Sequence, residues 1–320
     1  MAAVIARDLW ATSSNASFPG PEGAVSVPVW GYSPTPGQCQ VPGPLLEAMQ
    51  GDTLQVTLHN TLPEPVSLIW PGQAVRPVPV KDTNGRFVSF HRHALPGGTF
   101  IYTVNATRPG TFRYESGSNP AVQVQMGLSG PLIVRPAGFS PSDPAQRTAY
   151  GPDTGSDFDA ELLLVLGEVD SRLHTAAASG SAVDLRAFAP DWWVVGGRAY
   201  PDTVAPDAPG GVQPLSSALT VQAGRRLLIR CINSGFQTHA LYLGGLAGRV
   251  IAEDGYPLMS PTLDATYSRH TLTVAPGQSF DIILTSPDPG EFYLYDRELL
   301  HCVNGERFPG GMMTRLTFAV

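Results

Sequence analysis

The sequence predicts an all-β protein made of two similar halves, and three observations carry that expectation. Glycine and proline are abundant, 34 and 31 among 320 residues, which breaks the chain into short segments suited to a sandwich or barrel. Apolar residues make up 42 % and charged residues 15 %, a globular composition at a length that suits two domains, each with its own core. Finally, an internal repeat runs through the chain, the signature that most constrains architecture.

The repeat has three anchors in the same order. Gly51-Asp52-Thr53-Leu54-Gln55-Val56-Thr57-Leu58-His59-Asn60 reads against Gly224-Arg225-Arg226-Leu227-Leu228-Ile229-Arg230-Cys231-Ile232-Asn233. Pro96-Gly97-Gly98-Thr99-Phe100 reads against Pro276-Gly277-Gln278-Ser279-Phe280, and Pro109-Gly110-Thr111-Phe112 against Pro289-Gly290-Glu291-Phe292. Strands are expected at 54–58, 100–104, 132–134, 162–166, 227–232, 270–274 and 280–284, where β-branched and aromatic residues sit between Gly, Pro, Asp or Asn. A stretch rich in Pro, Ser, Gly and Asp marks a linker at 139–159, between an N-terminal domain at 1–138 and a C-terminal domain at 160–320. One helix is expected, at 171–187.

Charge and motifs exclude several functions. The formal net charge is −7 and Lys81 is the only lysine, with no basic run or basic–aromatic stripe, so nucleic-acid binding is not expected. No apolar run approaches the roughly 20 residues of a membrane span. Strand-like sequence follows Met1 almost at once, without the pattern of a signal peptide. Cys39, Cys231 and Cys302 are too few for a disulfide framework, and their odd number leaves one unpaired within the chain. Nucleophile elbows, phosphate loops and dinucleotide fingerprints are absent.

Four motifs then resemble one family. Val41-Pro42-Gly43-Pro44-Leu45-Leu46-Glu47-Ala48 followed by Gly51-Asp52 is similar to the entry motif of multicopper oxidases. Gly127-Leu128-Ser129-Gly130-Pro131-Leu132-Ile133-Val134 resembles the end of that family's first domain, and Val195-Gly196-Gly197-Arg198-Ala199-Tyr200-Pro201-Asp202 the turn opening its next. Gly310-Gly311-Met312-Met313 resembles its terminal motif. The resemblance spans nearly the whole chain. It implies two tandem cupredoxin-like Greek-key β-barrels, as in two-domain oxidases, which are commonly homotrimers. It also implies an extracytoplasmic setting, periplasmic or secreted, although the missing leader leaves a cytoplasmic one open.

The family's copper chemistry asks for donors that this sequence largely lacks. A type 1 copper takes a thiolate and two imidazoles with a weak methionine, and the oxygen-reducing cluster takes four His-x-His pairs. Together these exceed the seven histidines present. The first pair falls at Ile69 and Pro71, the second at Glu115 and Gly117, the third at Tyr242 and Gly244. Of the fourth, around Cys302, His301 remains and Val303 replaces its partner. The resemblance places His239, Cys302 and Met312 at three type 1 positions, with Arg307, a cation that does not ligate copper, at the second-histidine position.

Three readings follow. In the first, the chain is a multicopper-oxidase-like protein without the three-copper cluster and with no cofactor, acting as a binding, structural or accessory subunit. Its partners would be copies of itself, as in the family's homotrimers, or another cupredoxin-type protein. The second is a mononuclear copper protein for electron transfer or copper handling, one ion held by the type 1 remnant of His239, Cys302 and Met312. In the third, an enzyme uses a repurposed pocket containing Glu115, Tyr242, His301 and Arg307. His91-Arg92-His93 is the only His-x-His in the chain; it reads as an exposed polar pair, with a surface metal or substrate site as the alternative. Asp296-Arg297-Glu298 reads as a solvated or structural ion pair, and Trp192-Trp193 as core.

Overall fold

The computed structural model describes residues 2–320. Its regular structure is nearly all β, arranged in two β-barrel units that repeat one topology. In the first unit, Val4–Gly20 pairs in parallel with Thr53–Asn60, which pairs antiparallel with Thr99–Asn105. In the second, Ala160–Val169 pairs in parallel with Leu227–Asn233, which pairs antiparallel with Ser279–Leu284. Opposite these, Leu46–Met49, Ser129–Arg135 and Gly110–Glu115 form one sheet, matched by Leu219–Gln222, Met313–Ala319 and Gly290–Asp296 in the other. Every repeat anchor of the sequence thus begins or fills an equivalent strand.

Two buried asparagines show how deep the repeat runs. Asn60 closes its loop by donating to the carbonyls of Glu64 and Ala94 and accepting from Leu62 N–H. Asn233 does the same with Gln237, Val274 and Gly235. A short polar side chain at a strand end can satisfy backbone groups that leave the ladder.

Burial follows the sheet geometry. Thr53–Asn60 alternates between the core and a partly open face, as a half-covered strand should. Leu227–Asn233 is buried on both faces. One face (Leu227, Ile229, Cys231) joins the second barrel's core; Leu228, on the other, packs with Ala149, Tyr150 and Phe158. The 139–159 segment therefore lies against the second sheet, and its Tyr150 hydroxyl donates to Asp281. The helix is shorter than the sequence suggests. It spans Ser171–Ala178, capped by Asp170, and gives way at Gly180, whose φ is +71°, with a separate 3-10 turn at Leu185–Ala187. Its Leu173 and Ala177 pack into the first barrel's core.

An apolar cluster joins the two units, with Phe18, Val29 and Val41 meeting Val169, Trp192 and Val194. A polar seam links the units at the other end of Ala160–Val169. Arg135 pairs with Glu161 at 2.7 Å, and fully buried Arg230 pairs with both Glu161 and Asp281. Burial would raise the Glu161 carboxyl, but Arg230 and Arg135 outweigh it and hold the group below its ordinary value. A depressed carboxylate stabilises the fold fully above its unfolded pKa, near 4.5, and that contribution is lost as pH falls through the folded value. Chemical denaturation from pH 6 downward should show stability falling below that range, with a shallower slope in Glu161→Gln. Equal slopes would show that the pairing contributes nothing.

Candidate metal centre

A buried cluster of ionisable groups sits at one end of the second barrel. Glu168 comes from Ala160–Val169, His239 opens His239–Tyr242, and Asp296 ends Gly290–Asp296. His301 and Cys302 lie on the 3-10 turn Leu299–Cys302. Asp296 is the hub: one carboxylate oxygen accepts from both His239 Nδ1 and His301 Nδ1, each at 2.8 Å. The other accepts from Ala240 N–H at 3.1 Å and Glu298 N–H at 3.0 Å. Nε2 of His239 meets Glu168 at 3.2 Å, and Glu168 also accepts from Phe236 N–H. His239 and Asp296 are both 0 % exposed.

Electrostatics match this wiring. Burial alone would raise Asp296, yet the two imidazoles and two amides hold it well below the usual carboxylate range. Burial would lower His239, but the flanking carboxylates raise it above its ordinary value. Trp193 stacks on His301 with ring centroids 4.4 Å apart and donates to Gln237, so this tryptophan is a wall of the centre, while Trp192 stacks on Phe18 in the core.

Donor atoms of His239, Asp296 and His301 lie within 4.8 Å of one another. Two imidazoles and a carboxylate at that spacing suit one divalent transition-metal ion, with Glu168 behind His239 as an outer partner. Cys302 and Met312 are buried beside this set, but the thiol donates to the backbone carbonyl of Asp296 at 3.3 Å. Burial pushes that thiol up to about 11. Arg307 is exposed in the loop that follows.

The first two pair positions of the oxygen-reducing cluster adjoin in the first barrel, without the donors. Ile69 N–H donates to the Glu115 carbonyl at 2.8 Å, and a Cβ at Gly117 would stand 2.7 Å from Ile69 Cγ2, so isoleucine fills that space. Glu115 is tied to Arg113 at 2.9 Å; burial raises its carboxyl, and Arg113 offsets this only in part. Gly244 has φ +68°, and a Cβ there would lie 3.0 Å from both Phe292 Cβ and the Tyr293 carbonyl, too close for an imidazole at this position. These residues do not fit a three-copper cluster. Nor do the four residues of the expected pocket share one cavity wall: Glu115 faces a cleft with Arg113 and Phe236, Tyr242 packs on Tyr295, and Arg307 points to solvent.

The remaining sequence candidates separate. His91 Nδ1 accepts from Val78 N–H at 3.0 Å, whereas the enclosed Nδ1 of half-buried His93 has no partner; burial lowers both imidazoles. All three cysteines are free and buried. Sequence reasoning missed Glu168 and treated Asp296 as a solvated or structural ion pair. The repeat register held the clue to Asp296, since the spacing that relates the last two anchors carries Glu115-Ser116-Gly117 onto Tyr295-Asp296-Arg297.

Paired cupredoxin-like barrels with histidines gathered at one barrel end define the class of blue-copper and multicopper folds. Solved structures agree: the chain superposes on a blue copper oxidase of Nitrosomonas europaea with a TM-score of 0.75 at 23 % identity, covering 98 % of this chain and 86 % of that one. A copper nitrite reductase of the same organism gives 0.68 at 20 % identity, covering 99 % and 94 %. Residues 12–138 match the multicopper oxidase family profile. Multicopper oxidase MmcO of Mycobacterium tuberculosis is 26 % identical over 268 residues, 77 % of this chain and 46 % of the relative. Laccase-2 of Cryptococcus neoformans is 24 % identical over 276 residues, 82 % and 43 %. The chain is thus similar to multicopper oxidases, with the family match confined to residues 12–138, and it spans less than half the length of these two relatives. The expectation that it takes no cofactor is thereby overturned, because the matching family and structures are named for copper. No helix among the described residues is long and apolar enough to cross a membrane.

Proposed function

We propose that the chain is a multicopper-oxidase-like protein without the three-copper cluster, acting as a binding or accessory protein around one mononuclear copper position. His239, Asp296 and His301 hold that position. The observation that carries this reading is the convergence of their donor atoms within 4.8 Å in a buried pocket, beside cluster positions filled by Ile69, Pro71, Gly117 and Gly244. Copper, when bound, supplies a one-electron centre. In the metal-free centre Asp296 accepts from Nδ1 of both imidazoles, and copper binding would exchange those two protons for the ion; Glu168 fixes the outward nitrogen of His239, and Trp193 covers His301. Family kinship extends the proposal to an extracytoplasmic, oligomeric protein, either a homotrimer or a heteromer with another cupredoxin-type chain.

Metal analysis of the natively purified protein should give about one copper per chain. Cu(II) affinity should fall by about 10–100-fold or more in His239→Ala and His301→Ala, and Cys302→Ser should bind like wild type. Three or four coppers per chain would overturn the proposal. An intense blue band abolished by Cys302→Ser would overturn this ligand set in favour of the thiolate.

A further inference from the structure

The first barrel contains a second site that the copper reading does not use. A cavity of about 510 Å³ opens among Ile69, Trp70, Pro71, Gln73, Phe90 and His91. The resemblance puts the family's first histidine pair at Ile69 and Pro71, and both are apolar walls of this cavity. Phe87 and Phe90, 62 % and 52 % exposed, form its rim. Cavities of this size with apolar walls and a few polar groups are the usual shape of a small-molecule site.

Its polar groups are unpaired. Trp70 Nε1 and both amide atoms of Gln73 are buried with no hydrogen-bond partner, in side chains whose residues are 4 % and 9 % exposed. Enclosing an amide without a partner is unfavourable, so orphaned groups lining a cavity call for an explanation. The last torsion of glutamine is soft, so the unpartnered amide of this lining residue is free to turn its donor and acceptor to suit a ligand. No residue lining the cavity carries a formal charge at neutral pH when His91 is neutral. Because His91 Nδ1 accepts from Val78 N–H, its proton sits on Nε2, a further neutral donor.

We infer that this cavity binds a neutral, flat aromatic molecule whose edge both donates and accepts, as a lactam or carboxamide does. The amide edge pairs with Gln73, the ring lies between Ile69 and Pro71, and Phe87 and Phe90 close over it. Charged analogues are excluded because nothing in the wall compensates an ion. The inference is independent of the copper proposal.

Isothermal titration of the full chain with 2-quinolinone, naphthalene and naphthalene-2-carboxylate tests it, with thermal unfolding to verify each variant's fold. Quinolinone should bind, naphthalene more weakly, and the carboxylate not at all. Gln73→Leu should weaken quinolinone about tenfold, the worth of one good hydrogen bond, and leave naphthalene unchanged. Val75→Trp, which fills the cavity, should abolish binding of both. Phe90→Ala, a change at an exposed rim residue, should weaken both without perturbing the fold, and serves if Val75→Trp does not fold. Absence of quinolinone binding, equal binding of the carboxylate, or indifference of quinolinone to Gln73→Leu would overturn the inference.

Discussion

Replacing Arg230 with methionine should lower the unfolding free energy by about 3–5 kcal/mol, the usual effect of removing one partner from a buried ion pair. Its guanidinium is 0 % exposed and bonds Asp281 at 2.9 Å and Thr111 Oγ1 at 2.8 Å, besides Glu161. Asp281, also buried, keeps only the hydroxyls of Thr111 and Tyr150 once the cation is gone. Burial already pushes this carboxyl above its ordinary value despite the arginine, so without it the group must protonate or draw in water. Thr111 belongs to the first barrel and Arg230 to the second, so the loss also loosens their contact. Arg230→Met combined with Asp281→Leu should recover much of the stability, because a buried pair often exchanges for apolar residues at little net loss. Urea denaturation of the two singles and the double decides the matter. A single-variant loss under about 1 kcal/mol, outside the buried-pair range, would mean that the pair is solvated in solution.

Asn233→Ala should destabilise the protein by about 2–4 kcal/mol, through several buried backbone groups losing partners at once, and should weaken copper binding too. Its side chain closes the loop from Ser234 to Thr238 by holding Gln237 and Gly235. The next residue after that loop is His239, and Gln237 anchors Trp193 over His301. Asn60→Ala removes the equivalent contacts in the first barrel, far in sequence from the centre. It should match Asn233→Ala in stability and leave copper affinity unchanged. If both variants lower copper affinity alike, the effect is general unfolding and the positioning role of Asn233 is lost.

Much of the fold was legible because its signals are local. Turn residues and period-two burial mark strands such as Thr53–Asn60 without reference to distant contacts. The repeat converts each assignment in one half into a second, independent one. The helix was read too long for an equally local reason: Gly180, in the left-handed region, ends it, although the sequence beyond still carries apolar residues. The 139–159 segment reads as a spacer by composition, but Ala149, Tyr150 and Phe158 are buried against the second sheet, a packing that composition does not encode.

The candidate site was only half legible. His239 and His301 were singled out, and so was the absence of histidine at 69, 71, 117 and 244. What joins the two imidazoles is Asp296, fifty-seven residues from His239, with Glu168 on a third strand. Residue types state which donors exist; only the closing of a barrel end states which of them meet.

The repeated all-β plan and the shortage of copper donors follow from residue order alone, since strand periodicity, turn chemistry and donor identity are properties of residues. Tertiary structure decided that His239 faces two carboxylates rather than Cys302, that Ile69 fills the space beside Gly117, and that Gln73 is left unpaired beside a hollow. Those outcomes depend on where strands distant along the chain converge, and the packing of the whole barrel sets that convergence.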